Sequence, residues 1–342
     1  MIDLRSDTVT RPTPEMLEAM FAARVGDDVY GEDPATNELE EKSAFLLGTE
    51  ASVFVPSGTM ANQLALRAHT HPGDEVIVEA TSHIFNDESG GAAALSGIQL
   101  LPIAGERGMF SPREVDASLR DASDYHRPLS RMVCIENTHN RGGGSIWPSE
   151  LVREVASSAH QHGLLVHMDG ARLLNATVAL GVEPLVFTQH VDSVTLCLSK
   201  GLGAPVGTIL AGTQEFIRQV RRFRKMFGGG MRQIGYLSAA GSYALDNHVS
   251  RLAVDHQNAR MLAASLAQLD GVILSPQKVE TNMFYIRLSR DDWNARSLVR
   301  ALGENGVLAL PVADGRVRLV THLDVATEDI EAAAQVFRKL LG

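Results

Sequence analysis

Cysteine is scarce in this 342-residue sequence, and long hydrophobic runs and an excess of positive charge are missing. The two cysteines, Cys134 and Cys197, lie inside apolar runs, which predicts buried, reduced thiols and excludes a disulfide framework. The formal net charge of −10 argues against a nucleic-acid partner. No apolar run approaches the roughly 20 residues of a membrane helix, and the charged N-terminus does not resemble a signal peptide. We therefore expect a cytoplasmic protein without a membrane partner.

Recognised motifs for metal and nucleotide binding are also missing. The histidine pairs within 69–71 and 160–162 have no HExxH sequence or ligand cluster around them, so we expect no catalytic metal. Gly201, Gly203 and Gly207 give a loose GxGxxxG spacing after a predicted strand, but the next segment has the pattern of another strand. A dinucleotide needs a helix at that point, so a dehydrogenase is disfavoured.

Short β-rich runs alternate with longer helix-like stretches between residues 51 and 213. Uncharged runs of this kind are typical of strands buried on both faces, and their alternation with helices predicts a mostly parallel α/β sheet. The predicted strands are 51–55, 74–79, 98–103, 131–136, 164–169, 193–199 and 207–213. One predicted helix begins at Pro148-Ser149, with Ser149 able to cap it, and ends at Gly163.

The end of the chain has a different pattern. Its predicted elements are a long helix from about Arg251, β-rich runs at 281–288, 307–312 and 317–322, a helix near 293–305 and a final helix from about Thr327. We therefore predict a boundary near residue 250. Residues 1–250 would form an N-terminal arm and a large α/β domain, and residues 251–342 a small C-terminal α+β domain.

Polar residues follow several predicted strands, and ligands of doubly wound sheets bind beyond the carboxyl ends of the strands. Ser57, Gly58 and Thr59 follow one strand and begin a helix whose first N–H groups suit a phosphate, although the same residues suit an ordinary helix cap. Asp169 ends another strand, and a buried carboxylate needs a partner. That partner is either nearby Arg172 or a protonated ring nitrogen of a cofactor.

Lys200 ends the next strand, where a partly desolvated amine is nucleophilic towards an aldehyde; a solvated surface lysine is the alternative. The basic segment, residues 221–233, is either a solvated face or a source of positive charge beside a phosphate, across a subunit interface. His83 precedes a helix-like stretch, where a single histidine is commonly a cap or loop residue. Taken together, the phosphate cup, Asp169 and Lys200 fit pyridoxal 5′-phosphate (PLP), which binds a lysine as a Schiff base and an Asp through its pyridinium nitrogen.

The sequence resembles the PLP-dependent threonine aldolases of the aspartate-aminotransferase fold (fold type I), most of all the bacterial low-specificity L-threonine aldolases. The motifs that carry the resemblance are DLRSDTVTRPT (3–13), GDDVYGEDP (26–34), SGTMAN (57–62), SH (82–83), ENTHN (136–140), HMDGARLLNA (167–176), CLSKGLGAPVG (197–207), RKMFGGGMRQ (224–233) and VRLVTHLD (317–324). They run in the same order over nearly the whole chain, so the resemblance implies this fold throughout.

The resemblance also implies a role for each matching residue. Lys200 would form the Schiff base, Asp169 would keep the ring nitrogen protonated, and His83 would stack on the ring and be a candidate base. The other implied residues are Gly58 and Thr59 around the phosphate, Lys225 and Arg232 approaching it from the neighbouring subunit, Ser6, Arg172 and Arg318 on the substrate carboxylate, and Tyr30 from the partner chain. Arg172 is also implied as a contact of the PLP phenolic oxygen, and His126 as a contact of the substrate hydroxyl.

The implied reaction is the retro-aldol cleavage of L-threonine, L-allo-threonine and other L-β-hydroxy-α-amino acids to glycine and an aldehyde. The base that takes the β-hydroxyl proton is His83, His126 or a water held by them. Serine hydroxymethyl transfer, β-elimination and a PLP-binding homologue without catalysis are the alternatives. The family tends to be tetrameric, so we expect a dimer of dimers with sites shared between chains. Asp87 occupies a pocket-edge position that varies among relatives, so no diastereomer preference is predicted.

Overall fold

The fold consists of strands and helices that alternate along most of the chain; it is described here from a computed structural model that covers residues 1–290 and 292–342. The strands are β1 (Ile2–Asp3), β2 (Ala51–Val55), β3 (Glu75–Glu79), β4 (Gln99–Ile103), β5 (Ser130–Glu136), β6 (Leu165–Asp169), β7 (Ser193–Cys197), β8 (Thr208–Gly212), β9 (Val272–Ser275), β10 (Met283–Leu288), β11 (Val307–Leu308), β12 (Leu310–Pro311) and β13 (Val317–Val320). The helices are α1 (Pro14–Phe21), α2 (Pro34–Leu47), α3 (Gly58–His69), α4 (His83–Asn86), α5 (Pro112–Ser118), α6 (Ser149–Gln161), α7 (Leu173–Leu180), α8 (Leu185–Thr188), α9 (Gln214–Met226), α10 (Gly235–Asn247), α11 (Leu252–Leu266), α12 (Ala295–Glu304) and α13 (Thr327–Leu341).

Seven strands form the central sheet in the order β2-β8-β7-β6-β5-β3-β4. Strands β4, β3, β5, β6 and β7 pair in parallel, whereas β8 is antiparallel to both of its neighbours. All residues of β3, β7 and β8 are buried, as expected for strands that are covered on both faces. Strands β7 and β8 are uncharged, whereas β3 begins and ends with the buried glutamates Glu75 and Glu79. The predicted mostly parallel α/β sheet is confirmed, and each predicted strand lies within two residues of an observed one.

At the two ends of α6, one prediction made from local sequence signals is correct and the other is wrong. Gly163 follows the helix with a φ of 72°, a conformation that glycine adopts readily, so the predicted end is correct. The predicted cap is wrong, because Pro148 occupies the N-cap position. Ser149 is instead the first helical residue, and its hydroxyl donates to Glu150.

The C-terminal part of the chain forms a second layer with its own hydrophobic cluster. An antiparallel sheet in the order β12-β13-β10-β9 packs with α11, α12 and α13 around Phe284, Leu319 and Phe337. The predicted boundary near residue 250 falls between α10 and α11. The first residues of the chain, however, join this second unit: β1 pairs with β11, and Leu4 lies in the C-terminal cluster.

The sheet topology brings several chain segments to one edge. Strands β3, β5, β6 and β7 run parallel, so their carboxyl ends share this edge. Strand β2 ends there as well, because it and β7 are both antiparallel to β8. Within the described residues, no helix is both long enough and apolar enough to cross a membrane.

Candidate active site

A cavity of about 130 Å³ lies at the carboxyl edge of the central sheet, and we call it the inner cavity. The residues predicted from sequence that line it are Gly58, Thr59, His83, Asp169, Arg172 and Lys200. An outer cavity of about 410 Å³ adjoins it and is lined by His83, Asn140 and residues of the C-terminal unit, including Arg318. His83 and Asn140 line both cavities, which together form one cleft between the two units.

One wall of the inner cavity is the first turn of α3. The Ser57 hydroxyl caps this helix by accepting from the N–H of Met60 at 3.2 Å, and the N–H groups of Gly58 and Thr59 precede the intrahelical hydrogen bonds. A Cβ at residue 58 would lie 2.9 Å from the Cys197 sulfur, so glycine is needed for this close approach to β7. The turn is therefore an anion site with exposed donors.

Asp169 lies at the end of β6 and is almost fully buried. Its Oδ2 accepts from the Asn62 amide at 2.8 Å, and its Oδ1 from the N–H of Ala171 at 3.1 Å. Burial raises the pKa of Asp169, but the charges of His83 and Lys200 and the Asn62 hydrogen bond outweigh it, so the pKa lies below its ordinary value. A charged carboxylate therefore faces the inner cavity.

Lys200 follows β7 in a turn and is half-buried. Its carbonyl accepts from the Thr10 hydroxyl at 2.8 Å and from the N–H of Gly203 at 2.9 Å. These bonds fix the backbone of Lys200, so only its flexible side chain is left to sample the inner cavity. The amine, the Asp169 carboxylate and the first turn of α3 thus share one cavity.

Arg172 has a partner that the sequence did not reveal. It binds Asp7 with two hydrogen bonds of 2.7 and 2.6 Å, and both residues are buried. Burial alone would raise the pKa of Asp7 and lower that of Arg172. The opposite charge of the partner outweighs burial in both residues, so the pKa of Asp7 lies far below its ordinary value and the pKa of Arg172 lies above its ordinary value. Asp169 is therefore not paired with Arg172. Asp7 takes the Nε hydrogen and one Nη2 hydrogen of Arg172, so the Nη1 hydrogens and the second Nη2 hydrogen remain for a ligand, and a contact with the substrate carboxylate stays a prediction.

Arg318, by contrast, has no carboxylate partner within residues 1–290 and 292–342. Its Nη2 lies 3.4 Å from the Ser6 hydroxyl, and its buried Nε has no hydrogen-bond acceptor among those residues. Burial and the nearby charge of Arg172 lower the pKa of Arg318. A half-buried guanidinium with unused donors is a site for a carboxylate ligand, because such pairs form two parallel hydrogen bonds.

His83 begins α4 at the junction of the two cavities. Glu136 accepts a hydrogen bond from its backbone N–H at 2.7 Å, and Glu88 lies 2.9 Å from its ring Nδ1. The bond to Glu88 raises the pKa of His83 despite its partial burial, and the charge of Asp169 adds to this effect. His83 can therefore exchange a proton near neutral pH with a group bound in the cleft.

Three other predicted residues lie outside the cleft of their own chain. Tyr30 is 74% exposed, Lys225 is exposed on α9, and Arg232 binds Asp27 at 2.9 Å with its guanidinium 6.0 Å from the Tyr30 ring. A Cβ at residue 230 would lie 3.5 Å from the Lys225 side chain, and we refer to exposed Tyr30, Lys225 and Arg232 together as the outer patch. These residues were predicted to act across a subunit interface, and their exposure leaves them available for that role.

The prediction that His126 contacts the substrate is not supported within one chain. His126 is exposed, its ring lies against Tyr125, and its N–H donates to Asp124 in a local turn. It is not among the residues that line the cleft. The physical reason is that this surface loop leads into the amino end of β5, whereas the cleft lies at the carboxyl ends of the strands.

Sequence reasoning missed Asp7, Asn62 and Glu88, although each lies within or beside a motif that was singled out. Asn62 donates 2.8 Å hydrogen bonds to both Glu88 and Asp169. A signal for Asn62 was available in the sequence: it is a polar residue at the fifth position of α3, on a face of the helix that is otherwise apolar. Asp7 had no such signal in the sequence, because its partner Arg172 is 165 residues away.

The residues of the cleft fit PLP. The first turn of α3 suits its phosphate, charged Asp169 suits a protonated ring nitrogen, and the amine of Lys200 suits its aldehyde. Two buried polar atoms lining the inner cavity, Thr138 Oγ1 and Asn140 Oδ1, have no hydrogen-bond partner among the described residues. Such atoms are normally satisfied by a ligand or water.

Comparison with known proteins agrees with this chemistry. The beta-eliminating lyase family matches residues 3–289. The chain is 45% identical over 344 residues to the low specificity L-threonine aldolase of Escherichia coli (strain K12), covering 100% of both sequences. It is 42% identical over 343 residues to a probable low-specificity L-threonine aldolase 2 of Arabidopsis thaliana, covering 99% of this chain and 97% of that one. A threonine aldolase structure from Leishmania major covers 100% of both chains with a TM-score of 0.86 at 20% identity, and so shares the fold.

Proposed function

Because the chain belongs to the beta-eliminating lyase family, as a full-length relative of low-specificity L-threonine aldolases, we propose that it cleaves L-β-hydroxy-α-amino acids such as L-threonine and L-allo-threonine to glycine and an aldehyde. The enzyme is a PLP-dependent carbon–carbon lyase. The observation that carries the proposal is the convergence of Lys200, Asp169 and the first turn of α3 on one cavity, beside Arg318, whose Nε has no hydrogen-bond acceptor among the described residues.

Lys200, Asp169, Gly58 and Thr59 are the residues that would hold the cofactor. When bound, PLP supplies an electron sink for the electron pair of the broken Cα–Cβ bond. Asp169 maintains that capacity by keeping the ring nitrogen protonated, which its lowered pKa supports. The donors at the start of α3 neutralise the phosphate charge.

Arg318 and Ser6 orient the substrate through its carboxylate. The unused Nε and the loosely bonded Nη2 of Arg318 can donate two parallel hydrogen bonds to that group. When the substrate carboxylate is held in place, the rotation about the bonds of Cα is fixed as well. This rotation determines which bond of Cα breaks. Arg172 supports this arrangement from behind, because its bond to Asp7 holds the N-terminal segment that carries Ser6.

His83 is the base that the cleft supports best for the β-hydroxyl proton. It lies between the inner cavity, where the cofactor would bind, and the outer cavity, where the β-substituent of the substrate would extend. The volume of the outer cavity, about 410 Å³, admits substituents larger than a methyl group. His126 could contribute only through a rearrangement of its loop or from another chain.

A homo-oligomer with shared sites is part of the proposal. The outer patch supports it, because Tyr30, Lys225 and Arg232 are exposed and do not line the cleft of their own chain. A dimer of dimers is the expected assembly, and light scattering would measure it. The cytoplasmic location stays a prediction, which cell fractionation would test.

Glycine release from all four threonine stereoisomers is the direct test. We expect glycine and acetaldehyde from the L-isomers, a PLP absorption band in the purified protein, and attachment of the cofactor to Lys200 after borohydride treatment. Pyruvate with ammonia as products would instead indicate β-elimination. A protein that neither binds PLP nor releases glycine would refute the proposed function.

A further inference from the structure

A buried carboxylate to which the proposed reaction gives no task lies directly behind His83. Glu88 follows α4 and is 4% exposed, and its Oε1 lies 2.9 Å from the Nδ1 of His83. Carboxylates are seldom buried without several donors. Glu88 has them: the amide of Asn62 donates to Oε1 at 2.8 Å, and the amide of Gln63 donates to Oε2 at 2.7 Å. Two neighbouring residues of α3 therefore hold Glu88 in place against the His83 ring.

The Asn62 amide is itself oriented by a hydrogen-bonded chain through the sheet. Its nitrogen donates to two carboxylates, so its oxygen must be the acceptor that faces Nε2 of His167 at 3.2 Å. Burial lowers the pKa of His167 to about 3, so this neutral ring donates from Nε2 and accepts at Nδ1 from the Ser193 hydroxyl at 2.8 Å. The Nε2 of His69 in turn donates to Ser193 at 2.9 Å. Every donor in this series of hydrogen bonds points towards the carboxylates of Glu88 and Asp169, so the Asn62 amide has one orientation.

We propose that Glu88 is a positioning residue for His83, accepting a hydrogen bond from Nδ1–H and thereby leaving Nε2 as the nitrogen that faces the substrate. The inference rests on the proposed function, since it specifies which nitrogen takes the β-hydroxyl proton. A neutral imidazole carries its hydrogen on one nitrogen and accepts at the other. With Nδ1–H on Glu88, the lone pair of Nε2 is free, and the carboxylate stabilises the imidazolium that forms when Nε2 accepts the proton.

The backbone contact to Glu136 completes the arrangement. Its Oε2 accepts the N–H of His83 at 2.7 Å, so main chain and ring are each held by a different carboxylate. The charged groups that face His83 from the surrounding elements are Asp87, Glu88, Glu136, Arg141, Asp169, Arg172, Lys200, Asp314, Arg316 and Arg318. Glu88 is the member of this set that contacts the ring itself, which is why its removal is the informative change.

The sign of the expected pH effect follows from the direction of the pKa shift. The bond to Glu88 raises the pKa of His83, and burial only partly opposes it. The neutral, proton-accepting form of His83 therefore appears at a higher pH than for an isolated histidine. Removing the charge of Glu88 lowers this pKa, so the acid limb of the rate profile moves to lower pH, while the weaker base lowers the rate on the plateau.

The test is an NMR titration of His83 in the PLP-bound protein, with the resonance assigned by its absence in His83→Asn. The wild-type midpoint is expected above the ordinary value of about 6.5. Glu88→Gln should lower it by about one unit or more, as loss of an adjacent opposite charge does. Asp87→Asn is the matched control: it removes the neighbouring carboxylate, which binds Arg141 at 2.9 Å, and should move the midpoint by no more than about 0.3 units.

Glu88→Gln is expected to fold, because the Gln63 oxygen is buried without a partner among the described residues and can accept from the new amide after a flip. Its kcat should fall by up to about tenfold, with the acid limb displaced as far as the NMR midpoint. Glu88→Leu, which loses the hydrogen bond as well, should lose more activity than Glu88→Gln.

An unchanged midpoint in Glu88→Gln would overturn the inference, and so would a wild-type midpoint below 6.5, whatever the variants do. Glycine release by the wild-type enzyme is scored separately. A wild-type protein that shows the expected His83 titration but releases no glycine would refute the proposed function and leave the Glu88 contact standing.

Discussion

The inner cavity and the outer patch differ in how completely one chain builds them. In the inner cavity Asp169 is 5% exposed and accepts hydrogen bonds from the Asn62 amide and the backbone N–H of Ala171. In the outer patch Tyr30 is 74% exposed, and exposed Arg232 forms an ion pair with partly exposed Asp27. Buried polar groups must be satisfied within the fold, whereas exposed groups remain free to meet another molecule. The polar groups of the inner cavity are therefore held within one chain, whereas those of the outer patch are available to another chain, and the proposed shared site needs both.

Lys200→Ala is the change with the largest expected effect, because it removes the amine that Lys200 places in the lining of the inner cavity. Cleavage should fall by at least about 10³-fold, as is usual when a covalent nucleophile is lost. Glycine release and the PLP absorption band measure the two consequences. If Lys200→Ala kept substantial activity, the reaction would not take place in the inner cavity, and the comparison of the inner cavity with the outer patch would not hold.

Mixing two inactive variants tests the outer patch. Arg232→Ala chains and Lys200→Ala chains should each be weak alone, but a refolded equal mixture should regain about a quarter of wild-type activity. Half of its dimers contain both chains, and one of the two sites in each is then intact. The readout is glycine release per mole of chain. No recovery, with dimers of mixed composition present, would mean that Arg232 acts within its own chain or outside the site.

Arg318→Ala tests the part of the cleft that is proposed to bind the substrate carboxylate. Loss of a charged hydrogen-bonding partner costs about 1.5–3 kcal/mol, so the KM for threonine should rise about 10- to 100-fold with a smaller change in kcat. Arg318→Lys should recover only part of this, since an ammonium cannot donate the parallel pair of bonds. Steady-state kinetics separate KM from kcat, and unchanged constants would remove Arg318 from the substrate site.

His126→Asn is expected to have the smallest effect. His126 is exposed in a locally bonded turn, so we expect less than about a threefold change in kcat/KM, in the range of substitutions away from a site. Tyr125→Ala is the matched control for loss of the loop's ring contact. A loss of 100-fold or more would show that this loop, like the outer patch, acts across an interface.

The sequence predicted the elements whose signals are local. The runs 165–168 and 193–199 contain no Asp, Glu, Lys or Arg and were recognised as strands, and the charged residue that follows each run located Asp169 and Lys200. Strand β1 has two residues, too few for any pattern, so its pairing with β11 could not be foreseen. The partners of Arg172 and His83 were missed for a related reason: proximity in the fold depends on loop paths that residue patterns do not encode.

The N-terminal segment also has a consequence for the order of assembly during synthesis. Ser6, Asp7 and Thr10 contact Arg318, Arg172 and the backbone of Lys200, respectively. These residues precede the central sheet in the chain, yet β1 finds its partner β11 only after residue 308 has been made. Domains commonly fold from the N-terminal end as they are translated. Here the segment that touches the three basic residues must wait for β11, which follows every strand of the central sheet, so a nascent protein can form its central sheet without an ordered cleft.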